Sequence, residues 1–221
     1  MKLAACRGAK AGAPHDMVAA GVVPRGRGRG SMISVVIGTR DSEVLLASTL
    51  AALVPGAVAG LVREVIVADG GSTDATATVA DVAGCRFFTS AEPLGARLSV
   101  AAAMARANWL LFLKPGSVPG SRWIDEVQRF LREAQQDGPP MRAAVFRPRP
   151  SRSRVTATLT LLATAVGALP RPERGLLIAK SHYDALGGHR ASDRDPEGGF
   201  MRRIGRRRIG LLRCRAGMLS D

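Results

Sequence analysis

Along the chain, short apolar runs alternate with longer stretches in which apolar residues recur every third or fourth position. Short runs bounded by turn residues predict strands covered on both faces, and the longer periodic stretches predict amphipathic helices. Residues 33–37 form the first such run, and 38–43 (Gly-Thr-Arg-Asp-Ser-Glu) the turn after it. Leu45, Leu46, Leu50 and Leu53 then fall on one helical face, with Pro55 and Gly56 expected to end that helix. Val65, Ile66 and Val67 predict the second strand, and a helix bearing Thr76, Val79 and Val82 follows to about Ala83. The pattern continues with strands at 85–89 and 109–113, helices at 94–107 and 123–134, and a strand at 143–146. Beyond it come a strand at 175–180, a short glycine-stopped helix at 181–188 and a closing strand at 209–212. Such alternation predicts an α/β domain with a mostly parallel sheet and right-handed crossovers.

Two stretches fall outside this pattern. Residues 1–31 carry Arg25-Gly-Arg-Gly-Arg-Gly and no sustained periodicity, so a disordered basic extension is expected, with Met32 as an alternative start. No compact apolar region follows the early basic residues, as a secretory signal would require. The domain is expected to span 32–215, with 216–221 as a tail. Residues 148–154 read as a basic, proline-containing linker, and 155–169 as an apolar segment too short to span a bilayer. The latter fits either a buried helix or an interfacial one flanked by Arg147, Arg149, Arg152 and Arg154.

Charge narrows the partners. With 32 Lys and Arg against 18 Asp and Glu, the net charge of +14 favours a polyanionic neighbour: nucleic acid, an anionic membrane surface or a phosphorylated substrate. Two Trp, one Tyr and six Phe are too few for the stacking platforms of single-strand binders, so nucleic acid is not expected. Cys6, Cys85 and Cys214, and likewise His15, His182 and His189, show no metal-ligand or disulfide spacing. A reducing, cytoplasmic setting follows, within reach of the inner face of the membrane.

The candidate chemistry gathers at strand ends. Asp69-Gly70-Gly71-Ser72-Thr73-Asp74 joins the second strand to its helix. Its glycines permit positive φ and close approach, and Ser72, Thr73 or Asp74 can cap the helix. In open α/β sheets the ligand crevice lies at such carboxyl ends. In this order, residues 35–43 (Val-Val-Ile-Gly-Thr-Arg-Asp-Ser-Glu), 66–76 (Ile-Val-Ala-Asp-Gly-Gly-Ser-Thr-Asp-Ala-Thr), 107–113 (Ala-Asn-Trp-Leu-Leu-Phe-Leu) and the segment from Gly175 through Tyr183 to Gly188 resemble the family 2 glycosyltransferases. The resemblance covers about 32–215. It implies a GT-A fold, a Rossmann-like three-layer sandwich, and a nucleotide-sugar donor, a UDP-sugar first among them. It also implies that Thr39, Asp41 and Glu43 lie near the donor's base and ribose, and that Asp69 contacts the nucleotide. Gly70 stands where many members carry a second acid.

The family's D-x-D carboxylates, which hold Mg²⁺ or Mn²⁺, have no counterpart in Lys114-Pro115-Gly116-Ser117. Two expectations remain open. In one, Lys114 supplies positive charge to the leaving diphosphate directly, with Arg97 and the arginines from Arg202 to Arg208, and transfer is metal-independent. In the other, the chain is a non-catalytic GT-A-like module that binds a nucleotide or a partner. Catalysis also needs a carboxylate to take a proton from the acceptor hydroxyl. Asp193, Asp195 and Glu197, read as preceding an arginine-bearing helix, offer Glu197 or Asp195 for that role.

Overall fold

The computed structural model describes residues 32–136, 143–148 and 175–219. The extension at 1–31, all of the 148–154 linker but Pro148, which ends a strand, and the apolar segment at 155–169 lie outside them. The chain runs β1 (Ile33–Thr39), α1 (Glu43–Val58), β2 (Val62–Asp69), α2 (Thr76–Val82), β3 (Arg86–Thr89), α3 (Leu94–Met104), β4 (Trp109–Leu113), β5 (Ser117–Pro119) and α4 (Trp123–Gln136). It continues through β6 (Ala143–Pro148), β7 (Leu176–Ala179), α5 (Lys180–Ala185), α6 (Pro196–Ile204), a 3₁₀ turn at Arg206–Arg208 and β8 (Ile209–Met218).

All eight strands join one sheet in the order β3-β2-β1-β4-β7-β6-β8-β5. β3, β2, β1 and β4 are mutually parallel, whereas β7 is antiparallel to both β4 and β6, and β5 is antiparallel to β8. The fold is therefore mixed α/β with a parallel half and a more irregular half. Side-chain alternation along the strands divides the core. Val35, Ile37, Leu111 and Leu113 pack with Leu46, Leu50 and Leu53 of α1 and with Trp123, Val127 and Leu131 of α4. Val36, Ile66, Leu110 and Phe112 pack with Leu98 and Ala101 of α3 and with Phe200, Met201 and Ile204 of α6. Among the described residues no helix is long and apolar enough to cross a membrane.

Several boundaries move. Pro55 lies inside α1, which runs on to Val58. Only one short turn follows the proline, so little helical bonding is lost. Gly56 is held by packing, since a Cβ there would stand 2.4 Å from the buried Trp123 ring. α3 stops at Met104 and not at Ala107, and its C-terminal end is tied down by Lys180 Nζ, which donates to the carbonyls of Ala103 (3.1 Å) and Ala105 (2.8 Å). α2 takes no side-chain cap from its N-cap residue, Ala75, although Asp74 Oδ1 accepts from the Thr76 N–H at 3.0 Å. β8 runs on through Met218 into the stretch read as a tail, pairing with β5, a strand too short and proline-bounded to have been legible.

Candidate functional site

The carboxyl ends of β1, β2 and β4 lie along one edge of the sheet, because Thr39 is in register with Asp69 and Ile37 with Leu113. Asp69 and Lys114, the residue after β4, are thus separated by about two strand spacings, roughly 10 Å. Thr39, Asp41, Glu43, Asp69, Gly70 and Lys114 belong to this edge, Arg97 to α3, and Asp195 and Glu197 to the start of α6.

The turns after β1 and β2 are stitched together. Asp41 Oδ1 accepts from the Thr73 N–H at 2.7 Å and from its hydroxyl at 3.2 Å, while Ser72 Oγ accepts from the Asp41 N–H at 2.8 Å. Glu43 Oε2 accepts from the Ala75 N–H at 2.9 Å, and Asp74 Oδ2 returns the exchange by accepting from the Glu43 N–H at 3.0 Å. Thr76 Oγ1 takes the Ser42 N–H at 2.9 Å. Asp41 adopts a positive φ of 44°, a conformation aspartate tolerates better than most non-glycine residues. These reciprocal bonds turn two loops, each of which would be pliable alone, into one rigid rim.

Asp69 is the centre of that rim and is 1% exposed. Its Oδ1 accepts from the hydroxyls of Thr39 (2.9 Å) and Ser72 (2.5 Å), and its Oδ2 from the N–H groups of Gly71 (2.9 Å) and Ser72 (2.8 Å). Four donors fill the acceptor sites of an ionised carboxylate. Burial alone would raise the Asp69 pKa, but the Ser72, Thr39 and Gly71 donors outweigh it and hold the carboxyl below its ordinary value.

Arg97, on α3, reaches beneath the same loops and is 8% exposed. Nη1 donates to the carbonyls of Thr39 (3.0 Å) and Ala68 (2.6 Å), and Nε to that of Glu92 (3.1 Å). Its Nη2 would stand 2.9 Å from a Cβ placed on Gly70, so Gly70 is the residue that lets the guanidinium approach the loop. Burial lowers the Arg97 pKa, the Asp69 charge opposes that, and nearby Arg40 lowers it further. Arg40 itself, exposed at the same edge, was not singled out from sequence. Its place directly after a strand-end threonine was the available signal.

Beyond β4 the chain makes a tight turn in which the Ser117 N–H donates to the Lys114 carbonyl at 3.0 Å. Pro115 and Gly116, the latter at φ 84°, occupy the positions that favour a type II turn. The Gly116 N–H is anchored on α1 by the Leu45 carbonyl (3.0 Å) and Thr49 Oγ1 (2.9 Å). From this fixed turn Lys114 Nζ reaches Glu197 Oε2 at 2.7 Å. The predicted cation and one predicted base therefore meet each other.

Asp193 and Asp195 precede α6 as expected, whereas Glu197 lies within it. Asp195 is its N-cap, with Oδ1 accepting from the Gly198 N–H at 3.0 Å, and Glu197 lies in the first turn. Asp193 pairs with Arg203 at 3.0 Å. The helix ends at Ile204, so Arg206–Arg208 leave it for the 3₁₀ turn, away from the end that carries Glu197. The loop before α6 is pressed onto α3, since a Cβ on Gly95 would meet the Arg190 carbonyl oxygen at 2.1 Å.

Behind α6, Tyr183 Oη accepts from the His189 N–H at 2.9 Å and lies 3.0 Å from His189 Nδ1. The tyrosine ring stacks on Phe112, with centroids 5.2 Å apart. Burial pushes the His189 pKa down to about 4, helped by Arg203, so this ring is a neutral structural prop at ordinary pH.

Among the described residues no group of three or more His, Cys, Asp or Glu is placed to hold a metal ion. At the end of β4 the side chain offered is an ammonium, and the Asp69 oxygens are already filled by donors.

The chain matches no family model and no curated protein sequence. Its fold is similar to solved structures. The glucosyl-3-phosphoglycerate synthase of Mycobacterium tuberculosis, in complex with phosphoglyceric acid, matches with a TM-score of 0.63 at 22% identity, over 87% of this chain and 73% of that one. The same synthase bound to Mn²⁺, uridine diphosphate and glucosyl-3-phosphoglycerate matches with a TM-score of 0.63 at 21% identity, over the same shares. A further mycobacterial protein matches with a TM-score of 0.61 at 24% identity, over 87% of this chain and 68% of that one. The architecture is thus a mixed α/β fold like that of glucosyl-3-phosphoglycerate synthase.

Proposed function

We propose that this protein is a glycosyltransferase that moves a sugar from a nucleoside diphosphate, a UDP-sugar first among the candidates, to a hydroxyl acceptor without a metal ion. The observation that carries the reading is the 2.7 Å contact between Lys114 and Glu197, set beside the rigid rim of Thr39, Asp41, Glu43 and Asp69. The similarity in fold supports sugar transfer, because the similar synthase was solved with Mn²⁺, uridine diphosphate and glucosyl-3-phosphoglycerate bound.

In the proposed reaction the acceptor hydroxyl oxygen bonds to the anomeric carbon as the bond from that carbon to the β-phosphate oxygen breaks. The electron pair leaves with the diphosphate, and the hydroxyl proton passes to the Glu197 carboxylate. Lys114 neutralises the leaving group as a point charge on a flexible stem. The rim holds the nucleoside through the outer surfaces of its backbone, and Arg97 fixes the rim from below and adds its positive field. Glu197 is preferred to Asp195 as base because it faces Lys114, whereas Asp195 spends its carboxylate on the helix cap. Since phosphoglyceric acid is the compound bound in the similar synthase, a phosphorylated hydroxy acid is the first acceptor to try.

The test is titration of UDP and UDP-sugars with Mn²⁺ and with EDTA, followed by turnover assays on a panel of hydroxyl acceptors. Binding that survives EDTA and turnover lost in Glu197→Gln support the reading. Binding that requires Mn²⁺ overturns the metal-free site, and nucleotide binding with no sugar transfer to any acceptor overturns the enzyme.

A further inference from the structure

We infer that Arg147 and Arg215 form a second anion site, separate from the nucleotide rim, which holds a phosphate group of the molecule that receives the sugar. The acceptor role rests on the glycosyltransferase reading and deepens it by naming the acceptor's class. The binding of phosphate itself is measurable without that reading.

Sheet register places the pair. Phe112 of β4 lies opposite Leu176 of β7, and Leu176 opposite Val145 of β6. β4 and β6 run in the same direction, so Lys114 and Arg147, each two residues further on, share a row across the sheet at two strand spacings, roughly 10 Å. Arg147 is in register with Arg215 of β8, which extends the row by one more spacing. Side-chain alternation then fixes the face. Phe146 of β6 and Leu212, Cys214 and Ala216 of β8 enter the core that packs on α1 and α4, so Arg147 and Arg215 project from the opposite face, the one that α3 and α6 cover elsewhere. Both arginines are exposed, and among the described residues neither is paired with a carboxylate. Arg213, on the same face, differs in having Glu126 as a charged neighbour.

Like charges directly across from each other on neighbouring strands repel, and an anion between them removes that cost. The backbone nevertheless keeps Arg215 in this position. Its carbonyl accepts from the Gly120 N–H at 2.8 Å, and two residues earlier the Arg213 N–H donates to Glu126 Oε2 at 3.0 Å. The register between β6 and β8 also shifts here, since Phe146 lies opposite Leu212 but Arg147 opposite Arg215. Irregularities of this kind re-aim side chains beside binding sites. Two planar guanidinium forks side by side suit the several oxygens of a phosphate. Leu211, 50% exposed on the same face, offers contact to an apolar part of the ligand, so the phosphate can belong to a small soluble molecule or to a lipid headgroup. The row thus gives each end of an acceptor a place, with its hydroxyl toward Glu197 beside Lys114 and its phosphate at Arg147 and Arg215.

The soluble probes are inorganic phosphate, phosphoglyceric acid and the phosphate-free glyceric acid, titrated by calorimetry in EDTA. The lipid probes are vesicles of phosphatidylglycerol and of phosphatidylcholine, used in cosedimentation at about 0.1 M salt. Arg147→Gln and Arg215→Gln should each weaken binding of the phosphate-bearing probe about tenfold, and Arg147→Gln/Arg215→Gln should abolish it. Arg147→Lys, which keeps the charge and loses the fork, should recover only part of the loss. Arg132→Gln removes the same charge from the exposed side of α4 and should change nothing. Circular dichroism establishes that each variant is folded. Phosphoglyceric acid bound more tightly than glyceric acid, and lost in the double variant, supports the pair with a soluble ligand. Sedimentation with phosphatidylglycerol alone, lost in the double variant and with no soluble probe bound, supports it with a lipid headgroup. Equal loss in Arg132→Gln reduces the effect to net charge and overturns the pair, as does binding that the double variant leaves unmoved or the failure of every phosphate probe to bind. None of those failures touches the nucleotide titration on which the glycosyltransferase reading stands. If a phosphate probe binds through the pair but no nucleoside diphosphate binds the protein, the acceptor role falls with that reading.

Discussion

Two regions share the carboxyl edge of the sheet and use charge in opposite ways. Around Asp69 the negative groups are consumed: four donors saturate the carboxylate, and Asp41, Asp74 and Glu43 each accept backbone N–H groups from the facing loop. At the end of β4 a lysine and a glutamate form an ion pair whose lysine side chain is 36% exposed. The first arrangement has many bonds per charge and sets shape. The second places its cation on a flexible, partly exposed stem. A residue type alone therefore says little about role at this edge, because the number of donors around each carboxylate decides whether it braces the fold or remains available for chemistry.

The sharpest way to break the comparison is Asp69→Ala, which strands the Gly71 and Ser72 N–H groups and the Thr39 hydroxyl. It should cost about 3 kcal/mol of stability in chemical denaturation. The effect has a pH signature. Asp69 is a stronger acid folded than unfolded, so its contribution is complete above the unfolded pKa of about 3.9 and is lost as pH falls through the lower folded value. The stability gap between wild type and Asp69→Ala should close on acidification across that window. An unchanged gap at low pH would show that the carboxylate is not the source.

Arg97→Lys comes next. It keeps a charge under the rim but cannot serve the carbonyls of Thr39, Ala68 and Glu92 together, so about 2 kcal/mol of stability should go, measured by the same unfolding curve. A variant as stable as wild type would place the guanidinium's role in ligand binding alone. Lys114→Met should cost less than about 1 kcal/mol of stability, as befits a partly exposed ion pair, while nucleotide affinity should fall about tenfold in calorimetric titration. A large loss of stability would move Lys114 into the bracing class. The smallest expected effect is that of Mn²⁺ itself. Adding it should leave the nucleotide affinity of the wild-type protein unchanged within error, and a rise would restore a metal to the site.

Much of the parallel half was legible, because β1, β2 and β4 are apolar runs whose ends carry the turn chemistry, and burial on both faces leaves them little alternative. The irregular half was less so. β5 is short and includes a proline, and β8 alternates exposed with buried residues, so that only its apolar start looked like a strand. In the site, the strand-end positions of Thr39, Asp69 and Lys114 followed from periodicity. Their partners did not, since the Asp41–Thr73 and Lys114–Glu197 contacts join residues distant in sequence through sheet order that no local pattern encodes. Arg97 shows the same limit: its charge suggested a phosphate, while its burial commits most of its donors to carbonyls.

The far end of β8 has one further effect. The Leu219 N–H donates to the Gly116 carbonyl at 2.9 Å, and a Cβ on Gly116 would stand 2.7 Å from the Leu219 carbonyl oxygen. The last described residues are therefore a clasp on the loop that presents Lys114. Trimming the chain back past Leu219, or fusing a bulky reporter immediately after it, would loosen the turn that carries Lys114. A fusion placed ahead of Met32 would spare it.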